Sequence, residues 1–175
     1  MYIGEKNDKV ETPLAFKLGF IFAGFLAAFL VLRIFFTPWI VRDSSMEPNF
    51  KKGQFVIVFK HFGAAKKGKV VLAHSPSGSD TVTLKRVAAV EGEKVEFIDK
   101  TILINGVKTA LPWKTLSSDI RLLPEPFSRR DTMPETKIGK DQVFLLGDNL
   151  DFSFDSREFG PAAEDDLVGF VLLSF

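Results

Sequence analysis

The chain has 175 residues, with 23 Lys and Arg against 22 Asp and Glu, so its net charge is close to zero. That balance gives no case for nucleic acid or a strongly acidic partner. The absence of cysteine excludes disulfides and thiolate metal sites. The two histidines, His61 and His74, lack metal-ligand spacing and read as surface residues.

The chain opens with residues 1–13, a polar tail carrying Lys6 and Lys9. From Leu18 to Leu32 there is no charge, and Lys17 and Arg33 bracket the run. Seven of the 19 phenylalanines fall between Phe16 and Phe36. As a helix, residues 14–36 would span roughly 35 Å at ~1.5 Å per residue, enough for a hydrocarbon core of about 30 Å. Lys17 and Arg33 can snorkel from its ends, with Trp39 as an interfacial aromatic. A retained anchor is favoured over a cleaved leader, because the run exceeds an h-region and no small-x-small site follows it. Lys6, Lys9 and Lys17 before the span, against Arg33 and Arg42 after it, point to a cytoplasmic N-terminus.

Thr37-Pro38 is expected to end the helix. Beyond it, apolar residues come in short β-branched or aromatic runs: 54–60, 70–72, 81–90, 94–98, 101–104, 143–146 and 167–175. Turn signals at Lys52-Gly53, Pro76-Ser77-Gly78, Glu91-Gly92 and Asn105-Gly106 divide them. The runs 94–98 and 101–104 are spaced as a hairpin closing at Asp99-Lys100. The expected fold is mainly β: a small antiparallel barrel or folded sheet over residues 37–175, preceded by one transmembrane helix. Residues 109–140, with four prolines and the pair Arg129-Arg130, read as a long surface excursion.

Three segments carry the chemistry. Ser45-Met46-Glu47-Pro48 follows the span, Lys85-Arg86-Val87 lies in a strand, and Gly147-Asp148-Asn149 leads to Ser153, Asp155 and Arg157. A serine hydroxyl needs a base to become a useful nucleophile. Neither histidine lies in a motif that would supply one. A lysine can serve if a desolvated pocket keeps it neutral, and Lys85 has apolar neighbours in Leu84 and Val87. On residues alone, Ser45 also reads as a turn serine, Lys85 as a solvent-facing strand lysine, and Asp155 with Arg157 as an ordinary ion pair.

The ordered set S-M-x-P, K-R-V and G-D-N-x-x-x-S-x-D-S-R resembles bacterial type I signal peptidases from about residue 14 to Phe175. The resemblance implies a membrane-bound serine endopeptidase without metal or cofactor, on the outer face of the cytoplasmic membrane. Its partners would be exported preproteins and membrane lipid. It implies Ser45 as nucleophile and Lys85 as general base, with Ser153 hydrogen-bonding the lysine amine. Asp155 and Arg157 would form a supporting ion pair, and Gly147, Asp148 and Asn149 the floor of the site. The Ser45 N–H would serve the oxyanion. Substrate would add as a strand along Val82, Thr83, Leu84 and Lys85 and the stretch holding Ile40, Asp43 and Ser44. Ile40, Val82, Leu84 and Leu146 are the expected walls of pockets for small side chains.

The chain departs from the family pattern at Asp43, where serine or glycine is usual, at Asn49 in place of threonine, and at Gly68-Lys69 and Glu91-Gly92-Glu93. A narrower reading is a processing peptidase of a conjugative transfer system, a kind that matures and in some cases cyclises a pilin precursor and that this chain resembles in its short length, its single anchor and its Ser153-to-Pro161 segment. A self-cleaving Ser/Lys regulator would carry a DNA-binding head where this chain has its apolar run.

Overall fold

The computed structural model describes residues 13–60, 63–75 and 81–175. The N-terminal tail through residue 12, His61 and the turn expected at Pro76-Ser77-Gly78 lie outside the described residues. The chain divides into two compact units, Met1–Phe35 and Phe36–Phe175.

Helix α1 (Leu14–Phe35) is the described part of the first unit. Pro13 precedes it, and the Pro13 carbonyl accepts from the N–H groups of Phe16 and Lys17. No α1 residue is buried, so its apolar side chains are exposed on every side. At ~1.5 Å per residue, 22 residues reach about 33 Å, long and apolar enough to cross a membrane. Helix ends at Phe35, one residue short of the expected boundary, because Pro38 holds the chain before it extended.

The second unit is mainly β, with eleven strands in two antiparallel sheets among the described residues. They are β1 (Phe36–Ile40), β2 (Phe55–Lys60), β3 (Val70–His74), β4 (Val82–Val90), β5 (Lys94–Ile98) and β6 (Thr101–Ile104). After these come β7 (Val107–Lys108), β8 (Met133–Lys137), β9 (Gln142–Leu146), β10 (Ala162–Ala163) and β11 (Leu167–Ser174). The larger sheet runs β1-β2-β11-β3-β4-β9-β10 and the smaller β7-β6-β5-β8. Among the described residues neither sheet closes on itself, so of the two expected forms this is the folded sheet.

The expected hairpin forms with Ile98 opposite Thr101. Asp99 and Lys100 both have positive φ, 46° and 66°, as a two-residue turn matching strand twist requires. Strand β1 was not expected from sequence. It pairs with β2 from Phe36↔Phe59 to Ile40↔Phe55, at a sheet edge where Pro38 can lack an N–H.

The excursion expected over 109–140 is shorter than the sequence suggests. Within it, β8 pairs with β5, and Met133 and Ile138 are buried in the core beside Phe97 and Phe144. The stretch before β8 is tied down by charge. Arg130 donates to both Asp131 and Asp119, and the Asp151 carboxylate accepts from the N–H groups of Ser118 and Asp119. Three apolar clusters fill the unit, and β3 separates two of them. Val70 and Leu72 face one and Val71 and Ala73 the other, the alternation of a strand covered on both sides.

Candidate active site

Ser45 sits in a tight turn after β1. The Met46 side chain, fully buried between Val41, Val56 and Leu84, anchors that turn in the core. Asn149 clamps it from the other side: its backbone N–H donates to the Ser45 carbonyl at 2.9 Å and its Nδ2 to the Ser44 carbonyl at 3.2 Å. Lys85 comes from the middle of β4. Strand alternation turns Thr83 and Lys85 to one face and Leu84 into the core. Lys85 Nζ lies 2.8 Å from Ser45 Oγ, and each residue is only 3 % exposed. Burial pushes the Lys85 pKa below the ordinary lysine value. Asp155 and Asp43 oppose that shift without cancelling it, while Arg157 adds to it.

The pairing Arg86↔Leu146, extended one step, brings Gly147 alongside Lys85. A Cβ at Gly147 would overlap the Ser153 side chain and the Ser45 carbonyl, so glycine is required there by close approach. Behind it, Asp155 accepts from Gly147 N–H at 3.0 Å and from Arg157 Nε and Nη2, both at 2.9 Å. Burial pushes the Asp155 pKa up, but the charge and hydrogen bonds of Arg157 and the Gly147 N–H bring it below the usual carboxylate value. Asp148 is held by a two-pronged contact from Arg86 and by Asn49 Nδ2 at 2.8 Å. Asn49, a departure from the family pattern, is thus a brace for Asp148.

Two expected contacts differ. The Ser153 hydroxyl does not hydrogen-bond Lys85; it is buried without a full partner, close enough to Asp155 to help hold that carboxylate charged. The Ser45 N–H, expected to face the oxyanion, donates instead to Asp43 Oδ1 at 2.9 Å. Asp43 is exposed, and burial, which would raise its pKa, is outweighed by the Ser45 hydrogen bonds and by Lys85 and Lys52.

A cleft of ≈ 270 Å³ opens over the pair, lined by Asp43, Ser45, Ser75, Thr81, Thr83, Lys85, Phe152 and Phe154. Of the expected pocket walls, none lines it. Leu84 and Leu146 are core residues, Val82 packs against the core cluster of Leu84, and Ile40 is exposed beside Trp39, Arg42 and Phe55. Ser44 contributes its carbonyl to Asn149 rather than a wall. Phe152 and Phe154 were missed, although their spacing about Ser153 is the period-two signal that places both on one side of an extended segment. His74 ends β3 exposed to solvent and is not among the residues lining the cleft, although its neighbour Ser75 is.

Comparison with known proteins identifies the family. A family model described as signal peptidase, peptidase S26, matches residues 15–175. The chain belongs to this signal peptidase family. It is therefore a serine peptidase, a hydrolase of the type that removes signal peptides, and it carries a membrane anchor in its apolar N-terminal helix. Signal peptidase IB of Staphylococcus aureus strain COL is 33 % identical over 166 residues, covering 86 % of this chain and 83 % of that protein. Signal peptidase I V of Bacillus subtilis strain 168 is 31 % identical over 159 residues, covering 85 % and 93 %. The crystal structure of a signal peptidase I from Enterococcus faecalis V583 superposes with a TM-score of 0.45 at 26 % identity, covering 65 % of this peptidase and 100 % of that chain.

Proposed function

We propose that this signal peptidase cleaves exported preproteins through a Ser45/Lys85 dyad, with the domain beyond residue 36 on the outer face of the cytoplasmic membrane. The observation that carries the chemistry is the 2.8 Å contact between two buried groups, Lys85 Nζ and Ser45 Oγ. Neutral Lys85 takes the hydroxyl proton as Ser45 Oγ attacks the scissile carbonyl. The resulting ammonium gives that proton to the departing amine, leaving an ester on Ser45. Lys85 then takes a proton from water as the water oxygen attacks the ester, and passes it to Ser45 Oγ as the acyl–oxygen bond breaks, which restores the free serine and the neutral lysine. Asp155, Arg157 and Asn149 hold the two partners in register without touching substrate.

Substrate addition as a strand is supported by the pairing of β4. β3 covers one edge of β4 along Val82–Arg86, whereas β9 pairs only from Arg86 onward. Among the described residues no strand pairs with that second edge along Val82–Leu84, which leaves it available to an extended peptide. Outer-face orientation is supported by the basic residues before the span. The narrower reading, a dedicated pilin-precursor peptidase, is supported by the short length, the single apolar helix and the Ser153-to-Pro161 segment. Incubation of the full chain in lipid or detergent with an exported preprotein should release the mature N-terminus. Mass spectrometry of the quenched reaction should find the ester at Ser45. Cleavage of a pilin precursor but of no other preprotein would favour the narrower enzyme, and an acyl group on any other residue would refute the dyad.

The cleft lining also sets an expectation for specificity. Thr83→Leu should fill part of the cleft and displace the scissile carbonyl, and a shift of ~1 Å can cost about 100-fold in rate. Leu84→Ala should leave the preferred side chains unchanged and instead destabilise the fold by about 2–5 kcal/mol, because it empties a core site. A peptide panel varied at the positions one and three before the cut, with thermal melts of both variants, checks this. Broadened specificity in Leu84→Ala would return Leu84 to the pocket wall.

A further inference from the structure

The Asp43 carboxylate takes no part in the proton transfers between Ser45 and Lys85, yet it holds the Ser45 N–H that would otherwise face the oxyanion. Resting on the assignment of Ser45 as nucleophile, we propose that Asp43 is a displaceable plug: in the free enzyme it occupies the oxyanion-binding N–H, and the substrate carbonyl must push it aside. Three observations carry this. Asp43 Oδ1 accepts from the Ser45 N–H at 2.9 Å. The carboxylate lines the same cleft as Ser45 and Lys85. Asp43 is exposed whereas Ser45 is buried, so the carboxylate has solvent to swing into. A carboxylate and a developing oxyanion are both negative, and a single N–H cannot serve both at full strength. The contact has the form of a local turn in which an aspartate caps the N–H two residues on. Its position in the cleft makes that turn a competitor of the substrate.

Displacement also reaches the base. Lys85 is faced by Asp155, Asp43 and Asp148, which favour its charged form, and by Arg157, which opposes it. Asp43 itself is faced by Lys85 and Lys52. When Asp43 swings out, Lys85 loses an anionic neighbour and gives up its proton more readily. Seating the substrate thus frees the oxyanion site and prepares the base in one movement, and the empty enzyme stays idle. Asp43 acts here as a positioning residue, through the Ser45 N–H and Lys85, not as a catalytic one.

The test is the pH profile of kcat/KM, which reports the free enzyme in which Asp43 is seated, for preprotein cleavage by the full chain, comparing wild type with Asp43→Ser, Asp43→Gly and Asp43→Asn. Removing an oxyanion donor costs about 10²–10³-fold, so freeing one that is blocked in the free enzyme should raise kcat/KM about tenfold or more in the serine and glycine variants. In all three variants the acid limb of the rate profile should move to lower pH, because Lys85 has lost an anion. The asparagine variant keeps an acceptor for the turn, so it preserves the local backbone if the smaller residues loosen it. A lower kcat/KM at every pH in the serine and glycine variants, with unchanged melting, would overturn the plug. So would an acid limb that stays in place in Asp43→Asn. Ser45→Ala run alongside separates the two ideas, since residual cleavage there would refute the dyad itself.

Discussion

Replacing Ser45 by Ala, or Lys85 by Ala or Met, is expected to lower turnover by about 10⁴-fold or more, because nucleophile and base act as one unit. For the same reason the double variant should be hardly worse than either single one. Lys85→Arg should be equally inactive, since a guanidinium does not deprotonate near neutral pH. The wild-type rate should rise with pH as Lys85 loses its proton, at a pH below the ordinary lysine value because burial disfavours the ammonium. The same shift has a stability consequence of opposite benefit. Between the lowered folded value and the ordinary unfolded one, the unfolded chain binds the extra proton, so stability rises with pH across that window. Below it, the folded protein carries an unfavourably buried charge. Lys85→Met should therefore melt higher than wild type near neutral pH while cleaving nothing. A recovery of about 1 kcal/mol corresponds to about 2–4 °C in a chain of this size. A lower melting point in Lys85→Met, or substantial cleavage by any of these variants, would be incompatible with a desolvated lysine base.

Much of this arrangement is legible in the sequence where the signal is local. Helix α1 announces itself by an uninterrupted apolar run, and its C-terminal end is set by Pro38. The β5–β6 hairpin was placed to the residue, since its two alternating runs leave room for a two-residue turn only. Strand β8, Met-Pro-Glu-Thr-Lys, was hidden because it has one buried residue, Met133, and exists through a long-range pairing with β5. Strand β1 was hidden by its proline, which only an edge strand tolerates. Ser45 and Lys85 lie 40 residues apart and meet only in the fold. The ordered motifs identified them, whereas no periodicity could. The pocket walls were misjudged by choosing apolar side chains rather than following alternation. Counting by two from Lys85 leads to Thr83 and Thr81, which line the cleft, and past Leu84, which does not. The Asp43 contact was readable in principle as a side chain capping the N–H two residues on, but its place in the cleft depends on where β4 puts Lys85.

The second large effect is expected from Asp155→Ala, and it is one of stability. Arg157 is among the largest fully buried side chains, at 1 % exposure, with Asp155 as its two-pronged partner. Its guanidinium lies 5.5 Å from the centre of the Phe97 ring, against the core between the sheets. Removing Asp155 strands that charge and takes the acceptor from the N–H groups of Gly147 and Arg157. Breaking a buried pair from one side costs about 3–5 kcal/mol. A domain has only about 5–15 kcal/mol to lose, so the variant should melt ten or so degrees lower, at about 2–4 °C per kcal/mol. Activity should fall with it, because Gly147 is packed against Ser153 and the Ser45 carbonyl. Replacing both partners by apolar residues, Asp155→Leu with Arg157→Met, should recover part of the loss by removing the unpaired charge. Acid has a matching effect. The folded Asp155 pKa lies below its unfolded value, so the contribution is complete above the unfolded carboxylate pKa of about 3.9 and is lost as pH falls through the lowered folded value. Thermal melts of wild type, Asp155→Ala and the double variant at neutral pH measure the first effect, and the wild-type melting curve below pH ~4 measures the second. If the double variant is no more stable than Asp155→Ala, the loss comes from the backbone contacts of Gly147 and Arg157 rather than from the stranded guanidinium.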